Sequence, residues 1–250
     1  MRPLIGLMIL VCCLPGSVLG QRDLEPRQLI ESPTAGLLPR GSFGLDFRFH
    51  GSNGILGAVS VGLFNQVMFG VSFGGQDLLG NGSVEWNPRL EFSGRVRVVE
   101  EGYSMPAVAV GYHSQGYGAF DEDLDRYTSK SKGVYAVFSK NYKSSLGQVG
   151  FHTGINKSFE DDDGDKDLSG FVGVDKAFGR NFVLLAEYDL ALNDNADNSL
   201  GSGKGLLNAG VRWTVSEQLS LEFDVKNVFR NGQRNPNPDR EIRIVYFERF

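Results

Sequence analysis

The sequence predicts an all-β protein, an antiparallel up-and-down transmembrane β-barrel of about 12 strands. Many segments alternate apolar and polar side chains with a period of two, which is the period of a β-strand. The connections between these segments alternate between short turns and long loops, as they do in a barrel whose two rims differ. The last segment ends on an aromatic residue, Phe250. These three observations together predict the fold class.

The first 20 residues have the parts of an export signal. Arg2 supplies the positive charge, Leu4 to Leu14 form the apolar core, and Val18-Leu19-Gly20 supplies small residues for cleavage. We therefore expect a signal peptide at 1–20, an N-terminal periplasmic segment at 21–40 and an outer-membrane β-barrel at 41–250.

Period-two segments bounded by Gly, Asn, Asp and Pro predict the strands one by one. An even number of strands returns both ends of the barrel to the same rim. The predicted ranges are 42–49, 55–63, 67–73, 89–98, 107–113, 133–140, 149–156, 169–177, 182–190, 206–215, 219–226 and 241–250.

The lengths of the connections predict which rim faces which compartment. The connections at 64–66, 179–181 and 216–218 are tight, whereas those at 74–88, 114–132, 193–205 and 227–240 are long. Outer-membrane barrels have short periplasmic turns and longer extracellular loops. The short outer connection at 50–54 and the moderate inner ones at 99–105 and 141–147 depart from this rule.

The alternation also predicts a polar lumen. A soluble sheet with a solvated outer face would show the same period, so the period alone leaves the direction open. A barrel of about 12 strands is too wide for apolar side chains to fill, which favours polar residues inside. The predicted lumen-lining residues are Glu91, Arg95, Arg97, Glu187, Asp189, Arg212, Glu222, Asp224, Lys226 and Arg243.

The final strand carries a candidate assembly signal. Ile242, Ile244, Tyr246 and Phe250 share one face of this strand, and such an ending resembles the sorting signal of bacterial outer-membrane barrels. Glu248 departs from the usual pattern, which has an apolar residue there. The resemblance implies a location in the bacterial outer membrane, with the barrel-assembly machinery, the lipid bilayer and lipopolysaccharide as partners.

A second resemblance comes from short motifs. Residues 32–43, SPTAGLLPRGSF, look like the opening of the YjbH-like outer-membrane proteins, which are associated with exopolysaccharide. The stretches at 70–76, 86–88 and 106–118 look similar to uncharacterised barrels of this kind. The resemblance implies a location in the cell envelope, a role near secreted polysaccharide and polysaccharide-export components as partners. It implies no catalytic residues.

An acidic stretch at 160–167 is the sharpest local cluster of charge, and it lies on a predicted outer loop. Asp161, Asp163, Asp165 and Asp167 alternate along it, and carboxylate oxygens at this spacing suit a hard divalent cation. The alternative is a solvated, self-repelling loop tip. The stretch does not fit the EF-hand template. No other cofactor is expected.

Two function classes lack their signatures. The chain holds only three histidines, and its Gly-x-Ser-x-Gly sequence at 70–74 falls on a predicted strand rather than on a strand-to-helix elbow, so we expect no enzyme. Its 25 basic residues are outnumbered by 30 acidic ones, so no nucleic-acid partner is expected.

The charges of the predicted lumen allow two functions. If opposite charges are separated across the lumen, their field selects small polar solutes. If they pair, the interior is closed. The sequence favours a narrow or gated passage for small polar solutes. The alternative is a closed barrel with a structural or accessory role in envelope assembly or exopolysaccharide secretion.

Overall fold

The structure is a computed structural model that describes residues 25–145, 147–196, 198–232 and 237–250. The expected signal peptide at 1–20 lies outside the described residues. No helix in the described part of the chain is long and apolar enough to cross a membrane. The strands are β1 (Ser42–His50), β2 (Gly54–Phe64), β3 (Val67–Gln76), β4 (Glu85–Trp86), β5 (Glu91–Val99), β6 (Ala107–His113), β7 (Tyr117–Asp121), β8 (Arg126–Ser129), β9 (Gly133–Ser144), β10 (Gly147–Lys157), β11 (Ser169–Phe178), β12 (Phe182–Asp189), β13 (Leu206–Thr214), β14 (Leu219–Lys226) and β15 (Asp239–Arg249).

Twelve of these strands close into an antiparallel barrel. Each barrel strand pairs with its neighbours along the chain, and β1 pairs with β15 from Ser42 opposite Arg249 to Phe49 opposite Ile242. This pairing leaves no free edge. The predicted fold class is confirmed, and each predicted strand overlaps one strand of the barrel.

Three short strands in the loops were not predicted. β4 extends the barrel sheet by two residues next to β3, and β7 pairs with β8 in a separate hairpin. They are too short to show a clear period of two. The hairpin matters for the site, because it folds back toward the lumen.

The outward face of the barrel is apolar. Phe151, Ile155 and Phe223 are 53%, 61% and 50% exposed, and many other large apolar side chains share this face. So broad an exposed apolar surface is unfavourable in water but suits lipid. The barrel therefore lies in the outer membrane.

The last strand places the predicted assembly signal on this outward face. Ile242, Ile244 and Tyr246 alternate with buried or lumen-side residues of β15. The Phe250 ring stacks on Phe43 with ring centroids 6.1 Å apart, and its N–H donates to the Gly41 carbonyl at 3.1 Å. Recognition by the assembly machinery stays a prediction.

Inside the barrel, charged side chains form a row at one level. The register places Arg48 opposite Arg243, Arg243 opposite Glu222, and Glu222 opposite Arg212 across β1, β15, β14 and β13. The row therefore alternates mostly between positive and negative side chains. Such a row binds neighbouring strands together as well as lining the lumen.

Residues 25–40 lie inside the barrel, which corrects their expected placement in the periplasm as a separate segment. Leu29 and Ile30 are fully buried, and Leu38 is 1% exposed. The backbone of this stretch bonds to inward side chains of several strands. We call residues 25–40 the inner segment. Its polar backbone can enter because the wall supplies charged partners for it.

Candidate functional site

The inner segment forms a hairpin-like loop within the lumen. Gln28 forms a bridge with Pro33, and the Thr34 N–H donates to the Arg27 carbonyl at 3.3 Å. At the tip, the Leu29 N–H donates to the Ser32 carbonyl at 3.0 Å. Glu25 reaches Arg97 near the short-turn rim, where the other end of the segment joins β1. Both ends of the described segment therefore face the same rim.

A single carboxylate on β12 holds the tip of the segment. Glu187 accepts hydrogen bonds from the backbone N–H groups of Ile30, Glu31 and Ser32 at 3.2, 2.9 and 2.9 Å. The Asn208 side chain donates to the same carboxylate at 2.9 Å. Glu187 is 1% exposed. Three consecutive N–H groups around one carboxylate form a strong, charge-assisted contact.

Arginines of the wall hold the backbone carbonyls of the segment. Arg48 donates to Ile30 at 2.9 Å, and Arg95 donates to both Arg27 and Gly36 at 2.7 Å. Arg212 reaches Gln28 at 3.0 Å, and Arg243 reaches Leu29 at 3.3 Å. These bonds use only the backbone of the segment. The arginines of the wall thus bind the backbone of the segment more than its side chains.

Small residues of the wall give the segment room. A side chain at Gly173 would meet the Leu29 side chain at 2.2 Å, and one at Gly62 would meet the Pro39 carbonyl at 2.1 Å. Glycine at these two positions is needed for the close approach of the segment.

A buried serine, histidine and aspartate on three adjacent strands anchor the middle of the segment. Ser139 Oγ lies 2.8 Å from His152 Nδ1, and His152 Nε2 lies 3.0 Å from Asp175 Oδ1. The Ala35 N–H donates to the Ser139 hydroxyl oxygen at 2.8 Å. This order of groups resembles a hydrolase relay, but the segment covers the hydroxyl. In this arrangement the three side chains hold the backbone at Ala35.

Most charges of the wall are paired. Arg48 contacts Glu241 at 2.6 Å, and Arg243 Nε donates to Asp46 at 2.8 Å. Lys226 contacts Glu241 at 3.1 Å and Glu31 of the segment at 3.2 Å. Of the two arrangements considered for the lumen charges, the described residues therefore form the interlocked one.

All ten predicted lumen residues lie on the inward face of their strands by register. Six of them contact the inner segment directly: Arg95, Arg97, Glu187, Arg212, Lys226 and Arg243. The other four have partners elsewhere: Glu222 is bonded to Arg212 and Arg243, Glu91 to Arg89, and Asp189 to Lys132, while Asp224 faces Gly210.

Several residues of the site were not predicted from the sequence. Asp46 and Arg48 alternate with Phe47 and Phe49 in β1, so the period of two could have found them. Ser139, His152 and Asp175 come together only through strand pairing. The inner segment itself has no periodic signal that predicts its place in the lumen.

The long loop between β6 and β9 enters the lumen from the opposite rim. We call residues 114–132, which include β7 and β8, the outer hairpin. The Gln28 side chain donates to the Tyr117 hydroxyl, and Ser129 donates to Glu31 at 2.7 Å. The Arg48 guanidinium lies 4.6 Å from the centre of the Tyr117 ring. The inner segment and the outer hairpin thus meet inside the barrel and close it.

Buried ion pairs tie the outer hairpin to two other loops. Arg126 is fully buried and contacts Asp163 and Asp194, each at 2.6 Å, while Lys130 contacts Asp163 at 2.8 Å. Asp165 accepts the Asn195 N–H at 2.8 Å. We call these charged residues, together with Glu160, the outer loop cluster.

Burial and hydrogen bonding shift two acids of this cluster in opposite directions. Burial raises the pKa of Glu160 to about 7, although the Ser131 and Tyr127 N–H groups oppose the shift. Burial also tends to raise the pKa of Asp163, but bonds from Lys130 and Arg126 outweigh it and hold that pKa below its usual value. Glu160 therefore titrates in the neutral range and Asp163 does not.

The acidic loop differs from the predicted cation site. Asp163 and Asp165 point into the outer loop cluster, Asp161 lies 3.7 Å from Lys166, and Asp167 is exposed. Within the described ranges, no group of three or more His, Cys, Asp or Glu side chains has an arrangement suited to a metal ion. Binding of a divalent cation at this loop stays a prediction.

A cavity of about 70 Å³ remains between the inner segment and the wall. At roughly 10–15 Å³ per water, it has room for about five to seven waters. Its charged lining consists of Arg27, Arg48, Arg95, Arg243 and Asp46, with His113, Gln115, Tyr117 and Tyr135 among the neutral groups. A cavity of this size admits water and small ions.

No protein-family profile matches the chain, and no curated protein sequence is similar to it. Among solved structures, the chain is similar to the KdgM porin, with a TM-score of 0.53 and 10% identity over 82% of this chain and 98% of the porin. The KdgM porin in complex with disordered oligogalacturonate gives a TM-score of 0.51 at 10% identity, with 82% and 98% covered. The NanC porin gives 0.48 at 12%, with 82% and 99% covered.

At this identity the likeness shows the fold. The chain has the barrel fold of outer-membrane porins, and it spans almost the full length of the KdgM barrel. The resemblance to exopolysaccharide-associated proteins has no support among these matches and stays a prediction.

Proposed function

We propose that the protein is an outer-membrane channel for small polar solutes, and that the inner segment opens and closes it. The observation that carries the proposal is the course of the segment. Both of its described ends face the short-turn rim, and the wall binds it through side-chain contacts to its backbone. It can therefore leave the lumen toward that rim while the strand pairing of the barrel stays intact.

The charges left behind support a polar passage. Without the segment, Arg48, Arg95, Arg212 and Arg243 lose carbonyl partners, and Glu187 loses three N–H donors. Charged side chains of both signs then line the lumen, which suits small polar solutes. The porin fold supports passage as well.

A cysteine pair tests the gate. Ala35 and Ser139 are joined by a hydrogen bond of 2.8 Å, so Ala35→Cys with Ser139→Cys should form a disulfide that holds the segment in place. We expect channel openings in planar bilayers under reducing conditions and their loss on oxidation. Each single cysteine variant is the matched control and should show no response to oxidant.

Two results would contradict the gate. Equal conductance before and after oxidation would mean that solutes do not pass where the segment lies. Silence in both states, with folding verified by a heat-dependent gel shift, would favour the second candidate function, a closed barrel with a structural or accessory role in envelope assembly or exopolysaccharide secretion. This second candidate is favoured because the inner segment and the outer hairpin fill the lumen from both rims.

A further inference from the structure

The cavity beside the inner segment has an excess of positive charge. Arg48 is paired with Glu241, and Arg243 is paired with Asp46 and Glu222. Arg27 and Arg95 also line the cavity. Neither of these two forms an ion pair with a carboxylate in the part of the chain that the structure describes.

Arg95 is the better defined of these two arginines. It is 9% exposed, and its hydrogen bonds run to the Tyr135 hydroxyl at 2.7 Å and to the carbonyls of Arg27 and Gly36. All three acceptors are neutral. A buried guanidinium without a counter-charge is unfavourable, so the site favours a bound anion.

Arg27 brings a second guanidinium from the segment itself. Its terminal nitrogens lie over Gly44 of β1, where an added Cβ would stand 3.0 Å from the nearest of them. The glycine therefore leaves room for the Arg27 head group at the cavity wall.

We propose that this cavity binds a small oxyanion of the size of phosphate or sulfate between Arg27 and Arg95, and that the anion locks the inner segment in place. Guanidinium forks match the geometry of such oxyanions. Such an ion has five heavy atoms, which is no more than the roughly five to seven waters for which the cavity has room. The anion site itself stands on the cavity and its charges, and only its role as a lock rests on the proposed function.

The lock follows from where the two arginines lie. Arg95 belongs to the barrel strand β5, whereas Arg27 belongs to the segment. The complete site exists only when the segment is in the lumen, so the anion binds the closed state more tightly than the open state. By linkage, bound anion shifts the equilibrium toward the closed state.

Hydrogen exchange of residues 25–40, measured by mass spectrometry on the full folded protein, tests the site. At a phosphate concentration ten times its Kd, exchange through the open state should slow about 11-fold relative to sodium chloride of equal ionic strength. Glucuronate, which has 13 heavy atoms, should have no such effect. A slowing by glucuronate as large as that by phosphate would overturn the small-ion proposal and point to a sugar-acid solute instead.

Three variants complete the test. Arg95→Gln and Arg27→Gln should lose the response to phosphate, and Arg27→Gln leaves every barrel strand unchanged. Arg212→Gln is the matched control: this residue also bonds the backbone of the segment, but it does not line the cavity. It should exchange faster than the unmodified protein and still respond to phosphate.

The outcomes separate the two proposals. No slowing by phosphate in the unmodified protein, or equal slowing in Arg95→Gln, would overturn the anion site. If the oxidised cysteine pair conducts while phosphate still protects residues 25–40, the channel gate is wrong and the anion site stands.

Discussion

The inner segment and the outer loop cluster close the same barrel from opposite rims, but they are held by different groups. The wall binds the segment mainly through backbone N–H and carbonyl groups, as at Glu187 and Arg95, and adds ion pairs only to Glu25 and Glu31 among the described residues. The outer loops bind one another through side-chain charges, as at Arg126 and Asp163. Substituting a side chain of the segment changes a backbone contact little, whereas any change in the charge of either partner alters an ion pair. The inner closure therefore depends on the wall, and the outer closure depends on charge and pH.

The largest effect should come from Glu187→Ala. The change leaves three buried N–H groups of the segment without an acceptor, at a cost of about 1–3 kcal/mol for each. We expect hydrogen exchange of residues 25–40 to accelerate by about 10²-fold or more, with unchanged protection of the outer hairpin. Glu91→Ala is the control, since Glu91 is an equally buried carboxylate that contacts Arg89 and Tyr127 rather than the segment. Similar acceleration in both variants would argue against the specific role of Glu187.

Arg126→Met should have a comparable but separate effect on the outer loops. It leaves Asp163 and Asp194 buried without their common partner, and breaking such a pair costs about 3–5 kcal/mol. Limited proteolysis should then cut within 157–169 and 189–206, while residues 25–40 keep their protection. Arg89→Met removes a cation that is 45% exposed and should change cleavage little. Loss of protection in the inner segment would show that the two closures act as one.

The outer closure should weaken as the pH rises. Glu160 has a pKa of about 7 in the folded loops against an ordinary value of 4.5. Between these values the folded loops bind more protons than the unfolded ones, so stability falls with rising pH. We expect opening of the outer hairpin to be about 70-fold more frequent at pH 8 than at pH 5. Hydrogen exchange corrected for its intrinsic pH dependence measures this change.

Glu160→Gln provides the control for pH, because the amide imitates the protonated acid. Its outer hairpin should open at the same corrected rate across this range. The inner segment should show no matching dependence on Glu160. A pH response that survives in Glu160→Gln would have to come from another group.

The smallest effect is expected from calcium. A cation at the acidic loop has to displace Arg126 and Lys130 from Asp163, because both already bond to it. We expect millimolar calcium to leave proteolysis of 157–169 unchanged. Protection by calcium that disappears in Asp161→Asn would instead support the predicted cation site.

The wall of the lumen could be predicted in more detail than its contents. Glu222 and Arg243 were predicted to face inward because each alternates with apolar neighbours along its own strand. Asp46 and Arg48 alternate in the same way in β1, so their inward direction could also have been predicted. Which carboxylate pairs with which arginine depends on strand register, and a period of two does not specify register between strands.

The positions of the inner segment and the outer hairpin could not be predicted from local sequence patterns. Neither has a long periodic run, and each is stabilised by partners far away in the chain. Ser32 bonds to Glu187 across 155 residues, and Leu29 bonds to Arg243 across 214. The acidic loop at 160–167 was predicted as a tip exposed to solvent or a cation, yet two of its aspartates are buried against Arg126, Lys130 and backbone N–H groups.

By itself, the sequence determined the strands, their order and their apolar and polar faces, since alternation is a local property of an extended chain. It also determined which rim carries the long loops, because the lengths of connections can be read directly. Only the tertiary structure decided that the lumen is filled, which charges are paired and which two arginines of the cavity form no ion pair in the described part of the chain. These features depend on contacts between distant residues, and their energies come from burial and geometry that no local pattern contains.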